Sequence, residues 1–266
     1  MRVAAAQIRS GTDPEANLAL IAAGAERAAA AGADLVVFPE AAMCRFGVPL
    51  APVAQPLDGP WARRVRTIAA ATGVTVIAGM FTPADGGRVR NTLLIAGPGR
   101  RVGHYDKIHL YDAFGYRESD TVAPGAALLT VDVAGVRIGV ATCYDIRFPG
   151  LFTELAARGA QVMVVPASWG AGPGKLEQWT LLARARALDT GAYVVGCGQA
   201  AEPTPAVSGV AVGLAPTGVG GSLAVSPRGE LLGQLGVGQD FASWDLDLRE
   251  VADARASLGV PANRRW

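Results

Sequence analysis

At 266 residues the chain exceeds a minimal fold and suits one large α/β domain spanning 1–266. Half of its residues are hydrophobic and its formal net charge is +1. The charges are scattered, which argues against a nucleic-acid track or a polybasic membrane patch. Val3 to Ile8 reads as a buried strand. Asp13-Pro14 looks like an N-cap followed by proline at the first helical position, and the Ala-rich run Ala16 to Ala31 is helical until Gly32 stops it. Leu35 to Phe38 is a second strand. Gly59 to Thr72 is a helix with Trp61, Val65 and Ile68 on one face. Val74 to Phe81 is a strand, and Asp85-Gly86-Gly87 turns it back into Val89 to Ala96. Gly97-Pro98-Gly99 makes another turn, into the strand that ends at Lys107.

The second half repeats the style without a clean sequence repeat. Leu128 to Val133 and Val136 to Thr142 form a strand pair. Helices over Phe148 to Arg158 and Lys175 to Asp189 alternate with strands Val162 to Val165 and Tyr193 to Cys197. Ser222 to Val225, Glu230 to Gln234 and Phe241 to Leu246 close the chain as strands, and Pro203 to Val219 reads as a loop. No linker divides the chain. Helices alternating with strands and hairpins favour two packed sheets with helices outside. The three cysteines are too few for a disulfide framework, the N-terminal stretch lacks the apolar core of a signal peptide, and no apolar run reaches membrane-spanning length. The expectation is a protein of the reducing cytoplasm.

Three segments place reactive groups just past strands, where α/β folds keep their chemistry. Leu35-Val36-Val37-Phe38 runs into Pro39-Glu40. Val102-Gly103-His104-Tyr105 runs into Asp106-Lys107. Val136 to Thr142 runs into Cys143 at a sharp turn. Taken singly, Cys143 could be a buried hydrophobe, Glu40 a turn cap and Lys107 a solvated hairpin lysine. Cys44 and Cys197 read as packing. His104 and His109 stand in no CxxC or HxxxH spacing, so no metal is expected. No glycine-rich cofactor motif follows a strand, and no Gly-x-Ser-x-Gly elbow is present.

In this order, Phe38-Pro39-Glu40, Tyr105-Asp106-Lys107-Ile108-His109-Leu110 and Cys143-Tyr144-Asp145 resemble the nitrilase superfamily, the carbon-nitrogen hydrolases. Glu118-Ser119 leading to Pro124-Gly125, and the run from Trp179 through Arg184-Ala185-Arg186-Ala187-Leu188 to Asp189, extend the likeness across nearly the whole chain. The resemblance implies an α-β-β-α sandwich of two packed mixed sheets, amide hydrolysis without a cofactor, and catalytic roles for Glu40, Lys107 and Cys143, with Glu118 helping to position substrate and lysine. Such a set suffices chemically: a carboxylate takes the thiol proton, the thiolate attacks, and the ammonium stabilises the oxyanion.

Cys143-Tyr144-Asp145-Ile146-Arg147-Phe148-Pro149 looks like the ω-amidase and deaminated glutathione amidase branch, whose substrates are small amides carrying a carboxylate. Arg147 is then a candidate carboxylate fork, or alternatively an internal anchor for the next helix. Tyr144, Ser168 and Trp169 should reach the same crevice. An N-carbamoyl amino acid, a nitrile, or a non-catalytic scaffold role are the alternatives. Leu151, Phe152, Leu155, Leu181 and Leu182 lie on helices through which relatives pair, so a homodimer or a multiple of one is implied. Trp266 is a further candidate for that interface.

Overall fold

The structure, a computed structural model, describes residues 1–98, 100–202 and 215–265. Trp266 and most of the stretch read as a loop, 203–214, therefore lie outside the described residues. The first half supplies β1 (Arg2–Gln7), α1 (Pro14–Ala30), β2 (Leu35–Val37), α2 (Pro60–Thr72), β3 (Thr75–Pro83), β4 (Val89–Gly97) and β5 (Arg100–Asp106). A short hairpin, β6 (Asp112–Ala113) and β7 (Tyr116–Arg117), leads to the second half. There follow β8 (Leu129–Val133), β9 (Val136–Val140), α3 (Pro149–Ala157), β10 (Val162–Ala167), α4 (Lys175–Thr190) and β11 (Tyr193–Gly198). The chain ends in β12 (Leu223–Val225), β13 (Leu231–Gln234), β14 (Asp240–Asp245), α5 (Arg249–Leu258) and α6 (Val260–Asn263).

Two six-stranded sheets result, in the orders β14-β1-β2-β3-β4-β5 and β13-β12-β11-β10-β9-β8. Each has three parallel strands at its centre, β1-β2-β3 and β9-β10-β11, with antiparallel neighbours outside. The strand side chains alternate. In β1, Val3 and Ala5 enter the core between the sheets, while Ala4 and Ala6 enter the layer under the helices. Burial on both faces explains why these strands read as continuous apolar runs. Val37 and Ile77 meet Ile138, Val164 and Val195 between the sheets. Trp61 and Val65 of α2 cover one outer face, and Phe152 of α3 with Trp179 of α4 covers the other. This is the expected α-β-β-α sandwich. Trp61 and Trp179 are fully buried, so truncating either to alanine would cost about 3–5 kcal/mol.

Local chemistry sets the element ends as read. The Asp13 side chain accepts the Glu15 amide at 2.9 Å ahead of Pro14, and α2 stops at Gly73, whose φ of 72° suits glycine. Helices α5 and α6 are short and carry few apolar residues, and the sequence reading does not find them: α5 buries only Val251 and Ala254. One expectation needs correction. Leu151, Phe152 and Leu155 face the chain's own core, because α3 lies flat on its sheet, so they are not free for a partner. Leu181 is 66% exposed. No helix of the described residues is long and apolar enough to cross a membrane.

Candidate active site

Glu40 follows β2, Lys107 follows β5 and Cys143 follows β9, and the three side chains meet. The Lys107 Nζ lies 2.9 Å from Glu40 Oε1 and 2.9 Å from Glu118 Oε2. The rest of the carboxylate oxygens are also engaged. Asn91 Nδ2 donates to Glu40 Oε1 at 2.7 Å and Glu118 Oε1 at 3.0 Å. The Ser168 amide donates to Glu40 Oε2 at 2.8 Å, and the Tyr111 amide to Glu118 Oε2 at 2.7 Å. Glu40, Asn91, Lys107 and Glu118 are all buried. Burial alone would pull the lysine pKa down. The carboxylates of Glu118 and Glu40 outweigh it and hold the group well above the ordinary lysine value, so it is an ammonium.

Two glycines let the backbone approach closely. Gly79 of β3 sits against the turn that carries Glu40: a Cβ there would lie 2.5 Å from the Ala41 nitrogen and 3.0 Å from the Glu40 Cα. Gly125 donates its amide to the Lys107 carbonyl at 2.8 Å, and a Cβ there would lie 2.1 Å from the Asp106 carbonyl oxygen. That contact gives the Pro124-Gly125 stretch its physical reason.

Cys143 opens a single 3₁₀ turn, Cys143–Arg147, with a φ of 47°. A left-handed non-glycine residue costs about 1–2 kcal/mol, so the surroundings must hold it. Asp145 does much of this. Its Oδ2 accepts from the Thr142 amide at 2.9 Å and the Tyr105 hydroxyl at 2.7 Å. Its Oδ1 accepts from the His109 amide at 3.0 Å and lies 2.7 Å from His109 Nδ1. The His109 ring in turn stacks on Phe148 at 3.7 Å. From α4, Arg186 donates to the Ile146 carbonyl at 3.1 Å, which gives the Arg184-to-Asp189 run its role in the fold. Burial pushes the Cys143 thiol well above the ordinary cysteine value, and Glu40 adds to that while Lys107 opposes it. The resting group is a neutral thiol that needs a base at the moment of attack.

The cleft above Cys143 and Lys107 is lined by Tyr144, Arg147, Ser168 and Trp169, all four expected there. Arg147 lies over the Trp169 ring at 4.9 Å and donates to Gln178 Oε1 at 2.9 Å. Ser168 is turned differently from a substrate ligand: its hydroxyl donates to the Pro216 carbonyl at 2.7 Å while its amide holds Glu40. Cys44 and Cys197 are buried away from this cleft, in separate apolar clusters.

A family model for carbon-nitrogen hydrolases matches residues 2–256. The chain belongs to that family. This carbon-nitrogen hydrolase is 61% identical over 268 residues to a hydrolase of Mycobacterium tuberculosis, covering 99% of this chain and 95% of that protein. It is 33% identical over 270 residues to the deaminated glutathione amidase of Escherichia coli O157:H7, covering 100% and 98%. Among solved structures it is similar to an amidase of the nitrilase superfamily from Nesterenkonia sp., at 28% identity and a TM-score of 0.79 over 97% of this chain and 98% of that one. In that amidase, studied as a glutamate-to-glutamine mutant, acrylamide has added to the active-site cysteine.

Sequence reasoning missed several members of the hydrolase site. Asn91 bridges both glutamates, and it stands in the polar stretch Arg90-Asn91-Thr92 that begins β4 and carries no local signal of that role. Asp145, His109 and Tyr105 belong to the family-like motifs but carry no individual signal in the sequence, and they brace the cysteine turn. Tyr111, Tyr116 and Lys175 also line the cleft, the two tyrosines from a hairpin too short to show a strand period and the lysine from the first residue of α4.

Proposed function

We propose that this carbon-nitrogen hydrolase cleaves small amides bearing a distal carboxylate, through a thioester on Cys143. The observation that carries the reading is a buried neutral thiol on a strained turn, facing Glu40, beside an ammonium pinned by two carboxylates. Glu40 takes the thiol proton as sulfur bonds to the amide carbon. The Lys107 ammonium stabilises the oxyanion that forms. The C–N bond then breaks, and the proton on Glu40 goes to the departing ammonia or amine. Water attacks the thioester, Glu40 takes its proton, and the C–S bond breaks to release the acid and restore the thiol.

Glu118 is a positioning residue in this scheme, holding Lys107 and the Tyr111 amide. Arg147 supplies the charge for the substrate carboxylate, and its stack on Trp169 fixes the guanidinium plane. The amidases among its relatives support the reading. Incubation with monoamides of C4 and C5 dicarboxylic acids should release ammonia and leave an acyl mass increment on Cys143. Ammonia from nitriles or ureido acids alone would overturn the substrate class, and no release from any of them would overturn the activity.

For the assembly we infer single-domain subunits paired as a homodimer or an even multiple in a reducing cytoplasm. The exposed Leu181 on α4 and three free cysteines support this, and a monomer by light scattering at micromolar concentration would refute the pairing.

A further inference from the structure

Among the described residues, two cations in the cleft have no counter-charge. Neither Arg147 nor Lys175 forms an ion pair among the described residues. Arg147 donates to Gln178, but its Nε is buried without a hydrogen-bond partner. Lys175 is buried, with its Nζ 3.3 Å from the centre of the Phe114 ring. Its position is unfavourable on three counts. It opens the 16-residue helix α4, where the helix dipole repels a cation. Gly174 before it offers no side-chain cap. Burial and the neighbouring Arg147 charge both pull its pKa down, with Cys143 opposing. Such a residue weakens the fold unless an anion arrives. Trp169 couples the two cations: its ring lies beneath Arg147, and its indole N–H donates to the Lys175 carbonyl at 2.8 Å.

We propose that Lys175 is a specificity-determining residue that grips, together with Arg147, the single carboxylate of a short acyl chain. This rests on the amidase reading above and names the second half of its carboxylate seat. The cavity as it stands is about 10 Å³, room for about one water. Substrate entry therefore requires lining side chains to move. Lys175 is placed to leave the Phe114 ring, itself 47% exposed, when a stronger anionic partner enters. Two cations converging on one carboxylate favour a short chain with one terminal charge over an uncharged amide of equal length.

The test compares succinamate with butyramide, which differ only in a carboxylate against a methyl group. In Lys175→Met the ratio of kcat/KM for succinamate over butyramide should fall about tenfold or more, and Lys175→Arg should restore most of it. Calorimetric titration with succinate should show a Kd about tenfold weaker in Lys175→Met than in the unmodified protein. An unchanged ratio with unchanged succinate affinity, or no succinate binding to the unmodified protein, would overturn the proposal. If the unmodified protein hydrolyses neither amide, the amidase reading fails while the succinate titration still decides the role of Lys175.

Discussion

At the floor of the cleft each charged group has a charged or hydrogen-bonding partner, whereas among the described residues two cations at its mouth lack an anionic one. Both oxygens of Glu40 and both of Glu118 accept hydrogen bonds, and Lys107 sits between them. Arg147 and Lys175 rest instead on the rings of Trp169 and Phe114. The difference separates two tasks. A floor already hydrogen-bonded needs no reorganisation when charge develops on the substrate, which is how fixed dipoles and charges lower a barrier. A mouth short of anions draws binding energy from whatever anion the substrate brings. Changes at the floor should therefore affect charged and uncharged amides alike, and changes at the mouth should alter their ratio.

The largest effect is expected at the floor. Cys143→Ala should lower turnover of both amide classes by about 10⁴-fold or more and abolish the acyl mass increment, with circular dichroism unchanged. Turnover near that of the unmodified protein would remove Cys143 from the chemistry. Gly79→Ala tests the floor without touching a reacting atom. Its Cβ would sit 2.5 Å from the Ala41 nitrogen, so the Glu40 turn must shift. A displacement of about 1 Å can cost about 10²-fold, and kcat/KM for succinamate and butyramide should fall together by roughly that amount. A change in their ratio would mean that floor and mouth are not separable.

Arg147→Ala tests the mouth. Losing a hydrogen bond to a charged group costs about 1.5–3 kcal/mol, or roughly ten- to a hundredfold. The succinamate-to-butyramide ratio should fall by that factor. Arg147 also donates to Gln178 on α4, so it has a second possible role as an anchor. Equal losses on both substrates with a lower Tm would assign it to the anchor and end its role in recognition.

The same contrast marks what the sequence disclosed. Glu40 and Cys143 were legible because each follows an apolar strand, and strands buried on both faces declare themselves by composition, whereas Lys107 follows the largely polar edge strand β5 and was legible through the motif around it. Glu118 was legible only through family resemblance, since it follows a hairpin of two-residue strands. Asn91 and Lys175 were not legible. Asn91 stands between Arg90 and Thr92 at the polar start of β4, and nothing local says that two glutamates from distant segments will meet it. Lys175 looks like an ordinary lysine at a helix start, and nothing in the sequence says that the Phe114 ring will lie against its ammonium. The helix residues Leu151, Phe152 and Leu155 misled for a related reason: an apolar helix face does not say whether it covers its own sheet or a partner.

The smallest effect lies outside the cleft and concerns alkali. Burial raises the thiol of Cys197 above the ordinary cysteine value, with hydrogen bonds to Ser222 and the Ala6 carbonyl opposing. Tyr105 is likewise raised, first by burial and then by Asp145. Both groups hold their protons more tightly in the fold than in the unfolded chain. The resulting stability is fully present below the unfolded values, near pH 8.5 for a thiol and 10 for tyrosine, and is lost as pH rises from there toward the folded values. Urea denaturation at pH 8, 9 and 10 should therefore show stability falling above about pH 8.5. Each such group contributes a slope of about 1.4 kcal/mol per pH unit. Cys197→Ala removes one of them, at a site between the sheets and away from the cleft, and should make the alkaline slope shallower by about that much while leaving the succinamate-to-butyramide ratio alone. An unchanged slope would mean that the thiol titrates normally, and that the core between the two sheets opens to base more easily than its complete burial implies.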